Sequence, residues 1–242
     1  MLGIVKAKGA VLFDEHGKEY IDAISSWYTS VYGHCNDAII AKVYAQMQQL
    51  DQVVFSGFTH EPAIALSEAL ISLLPENQEK LFFSDNGSTA TEIGIKMALQ
   101  YHHNLGKKRS VLMAFEDGFH GDTFGAMSVS GLSVYNGPFE DYFIEVKRIP
   151  VPTAANLEGL LHELENTMDL DAVAGFIYEP LVQGAAAMKM HKAEHLEKIL
   201  KVIKSHGVLA IADEVMTGFG KTGRHFASDY MTEKPDIICM SK

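Results

Sequence analysis

The 242-residue sequence predicts an α/β fold in which a mostly parallel sheet carries helices on both faces. Short apolar runs alternate with helical stretches, which is the pattern of parallel strands joined by crossover helices. Two of the runs, "AVAGFIYEP" and "VLAIAD", are almost continuously apolar, as strands buried on both faces are. Polar and glycine residues follow the runs, at the strand ends where open α/β sheets bind ligands.

The first part of the chain predicts a hairpin and two helices. Residues 11–22 place two alternating segments around a Glu-His-Gly turn, which is typical of a β-hairpin. Residues 38–50 carry apolar side chains on one helical face. Pro62 suits the first turn of a helix over residues 62–74.

A single α/β domain is expected over residues 41–242, after part of an N-terminal segment at residues 1–40. No internal repeat or low-complexity linker divides the chain. Predicted strands and helices alternate along the domain. The strands are expected at 80–85, 110–115, 142–150, 173–180, 208–214 and 236–241, and the helices at 88–106, 156–167 and 192–207.

The composition favours small-molecule ligands. The formal net charge is -11 and the basic residues are scattered, which argues against a nucleic-acid or anionic-membrane partner. Cys35 and Cys239 are the only cysteines, so we expect no disulfide framework and a reducing compartment. No apolar run approaches the roughly 18 residues of a membrane-spanning helix, and we expect a cytoplasmic protein.

The segment "SDNGSTATE" (84–92) opens a predicted helix directly after a predicted strand. Backbone N–H groups at a helix N-terminus bind phosphate, and the hydroxyl of Ser88 or Thr89 can add a hydrogen bond. A plain N-cap is the alternative, because Ser and Thr favour that position without any ligand.

Two charged residues follow the ends of apolar runs. Asp213 starts out half-buried, so its carboxylate needs a partner such as a cationic ligand nitrogen, a helix terminus or an arginine. Lys242 follows the last apolar run, where a desolvated amine can act as a nucleophile. The alternative for Lys242 is a solvated terminal side chain.

Several familiar motifs are excluded. "GFGKTG" (218–223) fits a dinucleotide fingerprint but lies past the strand end, and no strong helix follows it. A P-loop would need glycine at position 215, which is valine. Neither H-E-x-x-H nor Cys-x-x-Cys occurs, so no metal site is expected, and the absence of G-x-S-x-G argues against an α/β-hydrolase.

The order of the motifs "NGS", "DGFHGDTFGAMS", "EPLVQGAAAM", "LAIADEVMTGFGKTGRHFA" and "PDIICMSK" resembles the class III, fold-type I pyridoxal-phosphate aminotransferases. The resemblance runs in register over nearly the whole chain, and a lysine follows the aspartate of "DEVMTGFGKTG" by 29 residues. It implies the large domain of a fold-type I transferase with pyridoxal 5'-phosphate as cofactor. Family members continue past this lysine with another strand and a C-terminal domain, so the resemblance also implies a truncated chain.

The resemblance implies a set of cofactor contacts. Gly87 and Ser88 hold the cofactor phosphate. Phe119 stacks on one pyridine face, where many relatives have tyrosine, and Val215 packs on the opposite face. His120 is a further cofactor contact.

The resemblance also implies two catalytic residues. Asp213 pairs with the protonated ring nitrogen and keeps the ring cationic, so that the ring accepts electrons when the substrate Cα proton leaves. Lys242 binds the cofactor covalently and then moves the proton between Cα and the cofactor's C4' carbon. Glu179 and Gln183 lie at strand-end positions facing the cofactor's phenolic side or the substrate. Met216 replaces a glutamine of some relatives, which removes that contact.

Within the family, "DAISSWY" (22–28), "HGDTFGAMSVSG" and "KMALQYHH" are similar to segments of the biotin-pathway enzymes. Those enzymes transfer an amino group from S-adenosylmethionine to 8-amino-7-oxononanoate. Trp27 and Tyr28 then form part of the substrate wall with Phe119, and a homodimer is implied. The alternatives are a class III enzyme for ω-amino acids or ornithine, and an inactive truncated fragment.

Overall fold

The computed structural model describes all residues, 1–242, and divides them into two compact units, Met1–Ala69 and Leu70–Lys242. The boundary expected at residue 40 therefore falls inside the first unit. None of the helices has both the length and the apolar character of a membrane-spanning segment.

A three-stranded antiparallel sheet opens the first unit. Its order is β1 (Ile4–Lys8), β2 (Val11–Asp14) and β3 (Glu19–Ile21). The hairpin predicted over residues 11–22 is confirmed by β2 and β3, whereas β1 is an additional strand that the sequence analysis did not predict. Gly17 has a φ of 78° in the connecting turn, a left-handed conformation that glycine adopts without strain.

Three helical segments follow in the chain: a single turn α1 (Ser25–Tyr28), then α2 (Asp37–Met47) and α3 (Glu61–Leu73). The predicted helices at 38–50 and 62–74 are confirmed, with α2 ending three residues earlier than expected. Asn36 caps α2 by accepting hydrogen bonds from two backbone N–H groups. No residue of α2 is buried, so its apolar face is exposed; that face comprises Ile39, Ile40, Val43, Tyr44 and Met47.

The second unit contains a parallel five-stranded sheet. Every neighbouring pair of strands is parallel, as the sequence predicted. The order is β10 (Ile237–Cys239), β9 (Leu209–Asp213), β6 (Val173–Tyr178), β4 (Val111–Phe115) and β5 (Val146–Ile149).

Helices cover both faces of this sheet. Alternate side chains of β4 enter two separate cores, because successive residues of a strand point to opposite faces. On one face, α6 (Leu157–Asn166) and α7 (Ala193–Ser205) pack against Met113 and Phe115. On the other, α4 (Gly87–Asn104) packs against Leu112 and Ala114.

The strand expected at residues 80–85 is wrong. This run belongs to none of the three sheets, and Phe82 is mostly exposed. An apolar run forms a strand only where a neighbouring strand takes up its backbone hydrogen bonds, and the parallel sheet ends at β5 and β10. The remaining short elements are α5 (Phe124–Val129), β7 (Val182–Gln183), β8 (Lys189–Met190) and the 3-10 helices Gly137–Tyr142, Leu170–Ala172 and Ala227–Tyr230.

Candidate functional site

The carboxyl edge of the parallel sheet brings Asp213 and Lys242 to the same side. Asp213 is the last residue of β9 and only 4% exposed. Its partner in the neighbouring strand is Cys239, and Lys242 follows three residues later. The parallel register therefore places both expected catalytic residues beyond adjacent strand ends, where open α/β sheets hold ligands.

Asp213 is paired with a histidine. Its Oδ2 lies 2.7 Å from His120 Nδ1, and the two side chains are 5% and 0% exposed. Because a carboxylate only accepts hydrogen bonds, His120 Nδ1 carries the proton and donates it. The second oxygen, Oδ1, accepts the Val215 N–H at 3.1 Å, and the His120 N–H donates to Ser130 Oγ at 2.9 Å.

The charge of Asp213 changes the protonation of His120. Burial lowers the pKa of His120, but the hydrogen bond and charge of Asp213, together with the charge of Glu179, raise it above the ordinary 6.5. Burial likewise raises the pKa of Glu179, while the charge of His120 and two backbone N–H groups act against that rise. The three groups therefore form one electrostatically coupled cluster.

The N-terminus of α4 lies beside this pair. Asn86 caps the helix, with its side chain accepting the Thr89 N–H at 3.0 Å. Ser88 is thus not the cap that the sequence left open, and its Oγ instead accepts the Asp122 N–H at 3.2 Å. The N–H groups of Gly87 and Ser88 lie in the first helical turn, where no intrahelical acceptor exists.

Two glycines leave room at this helix terminus. A Cβ on Gly87 would lie 2.9 Å from Val215 Cγ1. A Cβ on Gly121, whose φ is 124°, would lie 2.3 Å from Ser88 Oγ. A larger residue at either position would displace its neighbour, so backbone, Ser88 and Val215 form a close-packed cradle at the end of the helix.

Phe119 presents its ring at the surface, with the residue 47% exposed. Its N–H donates to Glu179 Oε2 at 3.1 Å, while Glu179 Oε1 accepts the Gly184 N–H at 2.9 Å. Gln183 donates to the Glu116 carbonyl at 2.8 Å. Glu179 and Gln183 are therefore engaged with backbone groups and fix the loop that carries Phe119 and His120.

Sequence reasoning missed Glu214, which is fully buried directly after Asp213. Its carboxylate accepts hydrogen bonds from Thr217 Oγ1 at 2.6 Å and from the N–H groups of Ala227 and Ser228 at 3.0 and 2.7 Å. These bonds fix the segment that follows Asp213. The partners lie up to 14 residues away, and the only sequence signal was an acid that directly follows a buried strand end.

Lys242 has a second lysine close to its backbone. Lys221 Nζ donates to the Lys242 carbonyl at 3.1 Å and to the Gly218 carbonyl at 3.2 Å. The segment "GFGKTG" is therefore a loop that supports the residue after β10. It is not the turn of a dinucleotide site.

Trp27 and Tyr28 belong to the first unit and form the end of α1. Trp27 is 71% exposed. Both residues have left-handed backbone conformations, with φ values of 55° and 69°. This strain was not foreseen, because "SSWY" contains no glycine or asparagine to indicate it.

Comparison with known proteins decides the family. The family model described as Aminotransferase class-III matches residues 1–242. The chain belongs to the class III aminotransferases. These enzymes use pyridoxal phosphate, so the predicted cofactor and enzyme class are confirmed at the level of the family.

Two curated relatives and two solved structures show the extent of the similarity. An adenosylmethionine-8-amino-7-oxononanoate aminotransferase from Synechococcus elongatus is 44% identical over 100% of this chain and 59% of the relative. The enzyme of the same name from Staphylococcus aureus is 35% identical over 99% and 56%. The structure of that aminotransferase from Methanocaldococcus jannaschii has a TM-score of 0.90 and 32% identity over 99% of this chain and 56% of its own. A pyridoxal-phosphate-bound amine transaminase from an uncultivated Pseudomonas species has a TM-score of 0.90 and 28% identity over 99% and 58%.

The chain thus spans somewhat more than half the length of these class III relatives. Its site also fits the cofactor chemically. The Asp213–His120 pair offers a negative charge to a ring nitrogen, and the first turn of α4 offers N–H groups to a phosphate. Phe119 offers an exposed aromatic face to a flat ring.

Proposed function

We propose that the full-length protein transfers an amino group from S-adenosylmethionine to 8-amino-7-oxononanoate, giving 7,8-diaminononanoate in biotin biosynthesis. The observation that carries the transamination chemistry is the buried Asp213–His120 pair at the same sheet edge as Lys242. The substrates are those in the name shared by the relatives from Synechococcus elongatus and Staphylococcus aureus.

The proposed roles follow from the geometry of the second unit. Bound pyridoxal phosphate supplies an electron sink for the bond broken at the substrate Cα. Asp213 presents its unused lone pairs to the ring nitrogen, and His120 keeps that carboxylate oriented. Gly87 and Ser88 bind the phosphate through backbone N–H groups.

Two aromatic and aliphatic side chains and one amine complete the proposed cofactor contacts. Phe119 and Val215 contact opposite faces of the ring. Lys242 supplies the amine that holds the cofactor covalently, and its Nζ moves the proton at the substrate Cα. Trp27 and Tyr28 contact the substrate, as Phe119 does.

A donor comparison tests the substrate. Purified full-length protein is incubated with S-adenosylmethionine, β-alanine, ornithine or a simple primary amine, and formation of the aminated cofactor is followed by absorbance. We expect turnover with S-adenosylmethionine. The similarity to an amine transaminase makes other amine donors the second candidate, and turnover of those donors without S-adenosylmethionine would establish it.

A substitution tests the transamination chemistry itself. We expect full-length protein to be yellow, with borohydride fixing the cofactor on Lys242. Lys242→Ala removes the only amine proposed to hold the cofactor, so colour trapping and turnover are both expected to disappear. Covalent trapping that survives in Lys242→Ala would place the attachment elsewhere.

We also propose that the full-length protein is a cytoplasmic homodimer. The exposed apolar face of α2 is the kind of surface that a second copy covers in an oligomer. Cys35 and Cys239 are free thiols, which supports a reducing compartment. Sedimentation equilibrium tests the assembly, and a monomer at micromolar concentration would contradict it.

A further inference from the structure

Residues 22–34 form a loop whose two ends are fixed to the antiparallel sheet of the first unit. The Asp22 N–H donates to the Ala10 carbonyl at 2.9 Å. His34 and Gly9 exchange two backbone hydrogen bonds of 2.8 and 3.0 Å. The chain therefore leaves the sheet at Asp22 and returns to it at His34.

The turn α1 inside this loop is strained. Ser25, Ser26, Trp27 and Tyr28 have φ values of 48°, 49°, 55° and 69°, and none of them is glycine. A left-handed conformation is unfavourable for each such residue, so four in succession persist only where other contacts hold them. The hydrogen bonds within the turn, such as Tyr28 N–H to the Ile24 carbonyl at 3.0 Å, do not select the left-handed form by themselves.

Asp22, Ser26 and His34 supply the missing contacts, and we call these three residues the Asp22 clamp. Asp22 Oδ1 accepts the Ser26 N–H at 3.0 Å, and Oδ2 accepts Ser26 Oγ–H at 2.7 Å. The same Oδ2 lies 2.7 Å from His34 Nε2, with the two side chains 6% and 18% exposed. The clamp therefore ties the middle of the loop to both of its ends.

We propose that Asp22 and His34 are positioning residues that hold Trp27 and Tyr28 in one arrangement for substrate binding. The inference rests on the proposed function, in which Trp27 and Tyr28 contact the substrate. Asp22 and His34 act on the substrate through the turn, with no direct contact of their own. Loss of the clamp lets the turn leave its left-handed form and weakens substrate binding, while the proton chemistry at Lys242 is retained.

Kinetics on the full-length holoenzyme test this separation. A misplacement of about 1 Å is worth up to about 100-fold in a positioned reaction, so we expect Asp22→Ala to raise KM for S-adenosylmethionine about tenfold. We expect kcat to change less than about twofold and the cofactor absorbance to stay the same, since uniform binding is lost. Ser26→Ala removes only the hydroxyl bond and should give a smaller rise in KM, which keeps the test open if Asp22→Ala folds poorly.

Trp27 provides a readout that does not depend on activity, because it is the only tryptophan in the chain. The near-ultraviolet circular dichroism of each protein minus that of its Trp27→Phe counterpart isolates the signal of this indole. An ordered indole gives a strong signal, and a mobile one gives a weak signal. We expect Asp22→Ala to lose most of it.

Asp14 offers a matched control within the same unit. Its carboxylate accepts the His16 and Lys18 N–H groups, both at 2.9 Å, and Tyr20 OH at 3.0 Å, at the hairpin turn. Asp14→Ala removes a comparable carboxylate network but leaves the clamp intact. We expect lower stability with KM and the Trp27 signal unchanged.

A glycine rescue distinguishes conformation from bulk structure. Ser25 makes no side-chain hydrogen bond, and glycine adopts its φ of 48° without strain. Ser25→Gly in the Asp22→Ala background should therefore recover part of the lost KM and Trp27 signal.

Two outcomes overturn the inference: an unchanged KM and Trp27 signal in Asp22→Ala, or equal changes in Asp14→Ala and Asp22→Ala. If wild-type protein transaminates no donor, the proposed function fails. The Trp27 signals then still decide whether the clamp orders the turn.

Discussion

The protein contains two aspartate–histidine pairs of the same length in very different surroundings. Asp213 and His120 are 93 residues apart in the chain, 2.7 Å apart in space, and almost completely buried behind the end of a parallel strand. Asp22 and His34 are 12 residues apart, equally close, and close a surface loop of the first unit. The two pairs differ in what remains of the carboxylate's hydrogen-bonding capacity.

An ionised carboxylate accepts about four hydrogen bonds. Asp213 accepts one from His120 and one from the Val215 N–H, which leaves lone pairs for a ligand. Asp22 accepts bonds from Ser26 N–H, Ser26 Oγ–H and His34, so the protein itself uses most of its capacity. The same pair of side chains therefore serves a ligand charge in one unit and a backbone conformation in the other.

The largest effect is expected where the ligand needs the charge. Asp213→Asn keeps the size and one acceptor of the side chain but removes the negative charge from the proposed ring-nitrogen contact. We expect the cofactor to remain bound and the half-reaction with S-adenosylmethionine to slow about 100- to 1000-fold, the usual cost of losing one electrostatic contact to a reacting group. Stopped-flow absorbance of the full-length holoenzyme measures this rate.

Asp236 is the control for that measurement. Its Oδ2 accepts the Ala210 N–H at 2.8 Å and supports β9 just before β10 begins, at the opposite edge of the sheet from Asp213. Asp236→Asn should lower stability slightly and leave the rate unchanged. An Asp213→Asn rate within about twofold of wild type would remove Asp213 from the mechanism.

A smaller effect is expected for His120, and it depends on pH. The pKa of His120 is higher in the folded protein than the ordinary 6.5, because the attraction of Asp213 and Glu179 exceeds the effect of burial. Protonation therefore stabilises the fold fully below about 6.5, and this contribution disappears as pH rises through the raised pKa. His120→Asn keeps a donor near Asp213 but cannot take up this proton.

Thermal unfolding of the full-length holoenzyme checks the sign. The Tm advantage of wild type over His120→Asn should be greatest near pH 6 and shrink as pH rises to 9. An advantage that grows over this range would show that the neutral imidazole is the stabilising form.

The contrast between the pairs also explains what the sequence could predict. The parallel strands were predicted because their signal is local: "VLAIAD" is continuously apolar, and a strand buried on both faces requires that. Asp213 and Lys242 were placed correctly at one sheet edge, since parallel strands end on the same side. The run at 80–85 has a similar local signal but no place in a sheet, and a local pattern does not contain that information.

Contacts made at long range were not predictable. His120 had no local feature indicating Asp213 as its partner, 93 residues away. Glu214 similarly serves residues on a later loop. The left-handed turn α1 has no glycine, so only the clamp from Asp22 and His34 accounts for it, and that clamp exists only after the strands have paired.

The smallest effect is expected when the Asp22 clamp is titrated with acid. The hydrogen bonds of Ser26 N–H, His34 and Ser26 Oγ–H lower the pKa of Asp22 to about 2. Because the folded pKa lies below the ordinary 3.8, the stabilisation is present above about 4 and is lost as pH falls through about 2. Protonation of His34 does not break the clamp, since Nε2 can donate to Asp22 with either one or two protons on the ring.

The Trp27 circular dichroism of the full-length protein should therefore stay constant from pH 7 to pH 4 and weaken only below that range. Asp22→Asn, which has no carboxylate to titrate, should lack the acid transition and show a weaker signal throughout. A wild-type transition centred between pH 4 and pH 7 would contradict an ionised Asp22 at the centre of the clamp. It would also remove the distinction between the two pairs, because the clamp would then respond to pH in the range where the Asp213–His120 pair does.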